Sequence, residues 1–258
     1  MRAYTHIDRG SVRIGNDSLE RTWSTFLGNT TYLIDKAGRT NWVAEALSTG
    51  RGDGPEGFVL GAGEVQLAVD QRMLTSMDFG EIEWSEESSP VGASLVARYA
   101  GTDVDVEVRT FTLHTHPGMV RTLTVTNRSA NIVRAGPALL ESVPLRAETT
   151  PQRERLPQPA HALGWRPGSE GVVAVTKGRG ILMFAAEEAS PAVEAGHCLF
   201  LVRETVDLAP GKSWVLPPAA LVMFQAPFNP AAQSVYSEFL RMCALARKQM
   251  LQPHDEQS

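Results

Sequence analysis

The chain has 258 residues, of which 43% are hydrophobic and 21% charged, and a formal net charge of −5. That is the composition of a globular protein with a sizeable core. Its acidic balance and scattered Lys and Arg argue against a nucleic-acid partner, which calls for a concentrated basic face.

No apolar run approaches the roughly 20 residues that span a bilayer, so no membrane partner is expected. Met1 to His6 has no apolar stretch of the kind an export signal carries. Cys198 and Cys243 are too few and too distant for a metal site or a disulfide framework. Together these features predict a cytoplasmic protein with reduced thiols, no metal and no cofactor. The Asn-x-Ser/Thr triplets at Asn16, Asn29 and Asn127 then read as chance matches or turn residues.

In chain order, Val12 to Trp23 reads as two short strands around a Gly15-Asn16-Asp17 turn. Thr30 to Asp35 is the next strand, and Lys36 to Arg39 turns the chain toward Trp42. Residues 47–57, rich in glycine, predict a mobile surface loop. Strand pattern resumes at Phe58-Val59-Leu60 and Val65 to Val69. Asp78, Glu81, Glu83, Glu86 and Glu87 form a solvated acidic edge, with calcium binding as a lesser alternative. Ser88 to Gly92 is a turn.

Ser94 to Leu145 organises the chain. Asp103 to Val108 alternates polar and apolar residues, His114-Thr115-His116-Pro117-Gly118 supplies a turn, and Val120 to Asn127 alternates again. The apolar phase moves from even to odd positions between Val108 and Phe111, which predicts a β-bulge or a change of partner sheet there. Ala138-Leu139-Leu140 is a further apolar strand, running into Glu141-Ser142. Arg146 to Gln158 is polar and proline-rich, either a long excursion or poorly ordered.

Short buried strands follow at 172–175, 180–184, 198–201, 205–208, 213–216 and 220–224. Turn signals recurring between such strands predict an all-β sandwich or barrel. The tail changes period. Asn229 and Pro230 are a good N-cap and first helical residue, and Val235, Phe239, Met242, Ala246 and Met250 share one helical face. The helix is expected from about Ala231 to Leu251 with a frayed end. The chain therefore divides into a sandwich at 1–228 and a helix with tail at 229–258.

The run Arg13-Ile14-Gly15-Asn16-Asp17-Ser18-Leu19-Glu20-Arg21-Thr22-Trp23, followed by Thr31-Tyr32-Leu33-Ile34-Asp35-Lys36, resembles the opening of the β domain in family 36 glycoside hydrolases, the α-galactosidase class. The resemblance continues through Val120 to Asn127, Glu141-Ser142, Leu208-Ala209-Pro210-Gly211-Lys212 and Tyr236-Ser237-Glu238-Phe239-Leu240. It implies a two-sheet antiparallel β-supersandwich of the galactose mutarotase-like type, with a C-terminal amphipathic helix that leads in that family to a catalytic (β/α)8 barrel. The family's catalytic aspartates lie in the barrel, whereas this sequence ends at Ser258, so no catalytic residue carries over. Fold does not settle function.

His114 and His116, two apart at a turn, suit a sugar-site acid/base or a metal pair, or are turn residues with exposed imidazoles. Glu141 directly follows an apolar strand, where a carboxylate is costly unless paired. Mutarotase-like enzymes use a histidine and a glutamate base, which makes Glu141 a catalytic candidate. An ion pair with Arg121 or Arg146 explains it equally. Trp84 and Trp165, in polar surroundings, are candidates for stacking on a sugar, with Arg121 as a further substrate-binding candidate. Trp214 reads as core. Gly61-Ala62-Gly63 lacks the features of a nucleotide loop, and no Gly-x-Ser-x-Gly elbow is present.

The leading expectation is a carbohydrate-associated domain without hydrolase activity of its own, binding a sugar or serving as an assembly platform for a separate catalytic-barrel protein. The alternatives are an aldose 1-epimerase using Glu141 and a histidine, and an oligomerisation module whose 231–251 helix forms a homodimer contact.

Overall fold

The structure is a computed structural model and describes residues 2–44, 52–156 and 167–227. The helix expected at 231–251, Cys243 and Trp165 lie outside the described residues.

Five strands open the chain as an antiparallel meander in sequence order: β1 (Tyr4–Ile7), β2 (Ser11–Gly15), β3 (Leu19–Ser24), β4 (Thr30–Asp35) and β5 (Thr40–Asn41). The β2–β3 turn is set by Asn16, whose Oδ1 accepts from the Ser18 and Leu19 amides at 2.8 and 3.2 Å. This is the local turn that asparagine forms readily. Its Nδ2 donates to the carbonyls of Leu113 and His116 at 2.9 and 2.7 Å, which ties this turn to the one containing the two histidines.

β6 (Gly52–Asp53) and β7 (Val59–Leu60) pair across a 3-10 turn at Pro55–Gly57. The described part of the expected mobile loop is therefore a short hairpin. β8 (Gln66–Val69) and β9 (Arg72–Thr75) follow, then the long antiparallel run β10 (Ile82–Ser88), β11 (Gly92–Tyr99), β12 (Val104–Leu113) and β13 (Gly118–Asn127). Next come β14 (Val133–Pro144), β15 (Gln152–Arg155), β16 (Pro167–Thr176), β17 (Arg179–Ala186), β18 (Ala189–Glu194) and β19 (His197–Val202). The last are β20 (Val206–Leu208), β21 (Ser213–Val215) and β22 (Ala219–Gln225). Two stretches expected as edge or excursion thus contain strands: Glu83, Glu86 and Glu87 of the acidic edge lie on β10, and residues 152–155 are β15.

The strands form a nine-stranded sheet in the order β10-β11-β12-β13-β22-β17-β16-β15, with β21 also on β13. A six-stranded sheet runs β18-β19-β14-β8-β9, with β20 on β14. One core joins these sheets to the N-terminal meander: Val106, Leu123 and Met183 come from the larger sheet, Leu140, Phe200 and Leu67 from the smaller, and Ile14, Trp23 and Leu33 from the meander. This is an antiparallel β-supersandwich, its nine- and six-stranded sheets joined by the five-stranded meander, and most of its described residues are in strands.

The expected bulge between Val108 and Phe111 is absent. Register runs unbroken on both sides, Ala97 against Val108 and Ser94 against Phe111 on β11, and Leu123 and Val120 on β13. The phase shift has another cause. Val104, Val106 and Val108 face the main core, whereas Phe111 and Leu113 join a second buried cluster with Val120, Phe184, Val222 and Phe224 on the reverse face. From Thr110 onward the strand is buried on both faces, so its apolar pattern changes without any change of pairing. A bulge does occur on β14, where Leu139 pairs with Leu201 but Glu141 with Phe200, leaving Leu140 as the extra residue.

Candidate functional site

The β14 bulge decides where Glu141 points. Leu139 and its partner Leu201 face a small outer cluster, while Leu140 and Phe200 face the core. One extra residue breaks the alternation, so Glu141, opposite Phe200, also turns inward. There it meets Arg21 from β3, Arg121 from β13 and Glu64 from the loop before β8, all at most 4% exposed.

Arg21 grips Glu141 as a two-pronged fork, Nη1 to Oε2 at 2.7 Å and Nη2 to Oε1 at 2.6 Å. Its Nη2 also lies 3.1 Å from Glu64 Oε1, and its Nε donates to Thr30 Oγ1 at 2.8 Å. Arg121 Nη1 donates to Glu64 and reaches Glu141 Oε1 at 3.3 Å. Backbone and indole donors complete the cluster: Ser142 N to Glu141 at 3.0 Å, Thr30 N to Glu64 at 2.7 Å and Trp23 Nε1 to Glu64 at 2.9 Å. The Trp23 ring lies 4.8 Å from the Arg21 guanidinium carbon.

Two arginines and two glutamates cancel in charge. Removing each from water costs several kcal/mol, offset here by forked geometry and many charge-assisted bonds. Burial pushes Glu141 up, but Arg21 and Arg121 outweigh it and hold the carboxyl below its ordinary value. Burial acts oppositely on Arg21, whose guanidinium is nonetheless held more firmly protonated by Glu141 and Glu64. A carboxylate in this state has its oxygens engaged by donors and a low proton affinity, which suits a clamp between three sheets better than a base.

Beside the clamp, on the outer side of β14 and β19, lies a cavity of about 130 Å³ whose wall includes Leu27, Asn29, Glu64, Ser142, Pro144 and His197. Antiparallel register puts the last three together: Pro144 pairs with His197, and Ser142 with Leu199, two residues further along β19. His197 is 3% exposed, and burial holds its imidazole below the ordinary 6.5. Its Nδ1 stands 3.5 Å from Ser142 Oγ, the outer limit of a hydrogen bond.

The structure brings Glu141 and Arg121 together but sets them apart from His114 and His116. His114 Nδ1 accepts from the Ala3 amide at 2.9 Å, and His116 Nδ1 lies 3.0 Å from Thr115 Oγ1, both at the β12–β13 turn. Trp84, half-buried on β10, packs 6.4 Å from Trp23 and donates to the Thr25 carbonyl at 3.4 Å. Arg146 pairs with Glu148, not with Glu141. Asp78 caps its own turn through Thr75 and pairs with Arg72, and Glu87 pairs with Arg109. Among the described residues no group of three or more His, Cys, Asp or Glu is placed to hold a metal. No described helix is long and apolar enough to cross a membrane.

Sequence reading missed Arg21, Glu64 and His197. Arg21 carried a signal: it occupies an inward position between Leu19 and Trp23, where strand alternation calls for an apolar residue. Glu64, in a loop, carried none.

No protein-family model and no curated protein matches the sequence. Solved structures match in fold. The galactosidase domain of the α-galactosidase–sucrose kinase AgaSK has a TM-score of 0.53 at 11% identity, over 86% of this chain and 42% of that one. The family 36 α-galactosidase AgaB of Geobacillus stearothermophilus gives 0.54 at 9% identity, over 88% and 42%. An α-mannosidase of Enterococcus faecalis V583 gives 0.50 at 11% identity, over 88% and 31%. The chain thus has the galactose mutarotase-like sandwich fold of these carbohydrate-active proteins, and it spans less than half the length of each.

Proposed function

We propose that the chain is a carbohydrate-associated β-sandwich domain with no hydrolase activity of its own, which binds a sugar or serves as the platform for a catalytic barrel. The observation that carries this reading is the clamp. Glycoside hydrolysis by two carboxylates needs one of them protonated and the other free to act on substrate or water. Glu64 and Glu141 instead share the same two arginines, deep in the core. The fold shared with family 36 α-galactosidases supplies the carbohydrate context.

Incubation with aryl α-galactosides and α-glucosides tests the absence of hydrolysis: the expected outcome is no release above buffer. Turnover that disappears in Glu141→Gln while the variant stays folded would overturn it. The epimerase reading has less support, because Glu141 and the histidines of the β12–β13 turn make separate contacts. Optical rotation of freshly dissolved α-galactose should decay at the buffer rate.

A further inference from the structure

We propose that the cavity between β14, β19 and the Leu27–Asn29 turn is a binding site for one small neutral polyhydroxy molecule, of the size of a single sugar ring. The proposal rests on the carbohydrate-associated reading above and gives it a place and a ligand class.

Size comes first. A cavity of about 150 Å³ takes one benzene ring, so 130 Å³ is on the scale of a single six-membered ring. Wall chemistry is mixed. Leu27 and Pro144 offer surface for C–H groups, while Asn29, Ser142 and His197 offer donors and acceptors.

Those polar groups are incompletely satisfied within the protein. Asn29 Oδ1 is buried without a partner, and rotation of its amide can present an acceptor or donors to the cavity. Ser142 Oγ and His197 Nδ1 are too far apart at 3.5 Å to satisfy each other well. A hydroxyl both donates and accepts, so one placed between them could bond to both, whichever imidazole nitrogen carries the proton.

Charge then selects for a neutral ligand. The titratable groups on the wall are Glu64 and His197. Glu64 is neutralised by Arg21 and Arg121 and already accepts from Thr30 and Trp23, so it offers little to a cation. His197 is neutral at pH 7 because burial disfavours its charged form, so it offers no cation to phosphate or carboxylate. Ions would enter without a counter-charge; a polyol needs none.

The test follows the His197 imidazole resonance of the full chain, assigned by its loss in His197→Gln, during titration with galactose, glucose, xylose and glycerol, and with inorganic phosphate and ammonium. The expected result is a saturable shift with at least one ring sugar and none with either ion. Affinity should fall about tenfold in Ser142→Ala and in Asn29→Leu, each of which removes a hydrogen-bonding group. Ser142→Ala is a minimal truncation and stays informative if Asn29→Leu unfolds. A sugar that releases heat by calorimetry, leaves His197 unmoved and binds both variants equally overturns the cavity assignment while the carbohydrate reading stands. No heat and no shift with any sugar removes both the site and the sugar-binding half of that reading. A shift with phosphate or ammonium alone overturns the neutral-ligand assignment.

Discussion

Glu141 is inside the protein because Leu140 takes up an extra position on β14, and it is tolerable there because two guanidinium groups meet it. Glu141→Gln keeps the shape and removes the charge, leaving Arg21 and Arg121 with Glu64 alone. Breaking a buried pair in this way costs about 3–5 kcal/mol, so urea unfolding should lose that much stability. A loss under about 1 kcal/mol would mean that the clamp contributes little.

His197 and Glu141 also set an acid response in two windows. Burial lowers His197 below 6.5, so the unfolded chain takes up its proton first. The stability it contributes is complete above that pH and falls as pH drops from 6.5 toward the folded value. Glu141, held below 4.5, keeps its contribution above 4.5 and loses it as pH falls through the folded value. Denaturation midpoints measured from neutral pH downward should decline in two stages, and His197→Gln should flatten the earlier one.

At the scale of elements, β17 and β22 show how closely neighbouring strands fit. Gly180 pairs with Phe224, and a β-carbon at Gly180 would fall 2.1 Å from the Phe224 ring. Phe224 is 6% exposed within the reverse-face cluster, so the ring has little room to yield. Gly180→Ala should cost about 1–3 kcal/mol, as overpacked sites do. Gly10→Ala, with nothing within 4 Å of the added carbon, should stay within about 0.5 kcal/mol. Equal thermal shifts for the two variants would refute this account of the β17–β22 contact.

For the whole molecule, one core spans the meander and both larger sheets, and the clamp takes Arg21, Arg121 and Glu141 from the three of them. Independent unfolding of the meander would expose Trp23 and strand Glu141 without Arg21. The described region should therefore unfold in one cooperative step, with tryptophan fluorescence and far-ultraviolet circular dichroism giving the same midpoint. An early fluorescence transition would show that the meander opens alone.

Strand alternation and Asn and Gly-Pro turns were enough to determine an all-β sandwich and most of its strand positions, because those signals are local in sequence. Thr30 to Asp35 and the His114 to Gly118 turn appear in the structure where alternation and turn chemistry put them. β10 and β15 were hidden because edge strands of charged residues bury too little to show a period. The phase change near Arg109 was visible, but a bulge and two-sided burial leave the same trace in a single chain, and only the neighbouring strands distinguish them. The candidate site was legible only in Glu141 and Arg121. Their partners lie 120 residues away at Arg21 and 57 away at Glu64, and Ser142 meets His197 across 55 more. Pairing over such separations is set by how three sheets pack, not by any local pattern, so the tertiary structure alone decided that Glu141 is clamped and that a cavity with polar and apolar walls opens beside it.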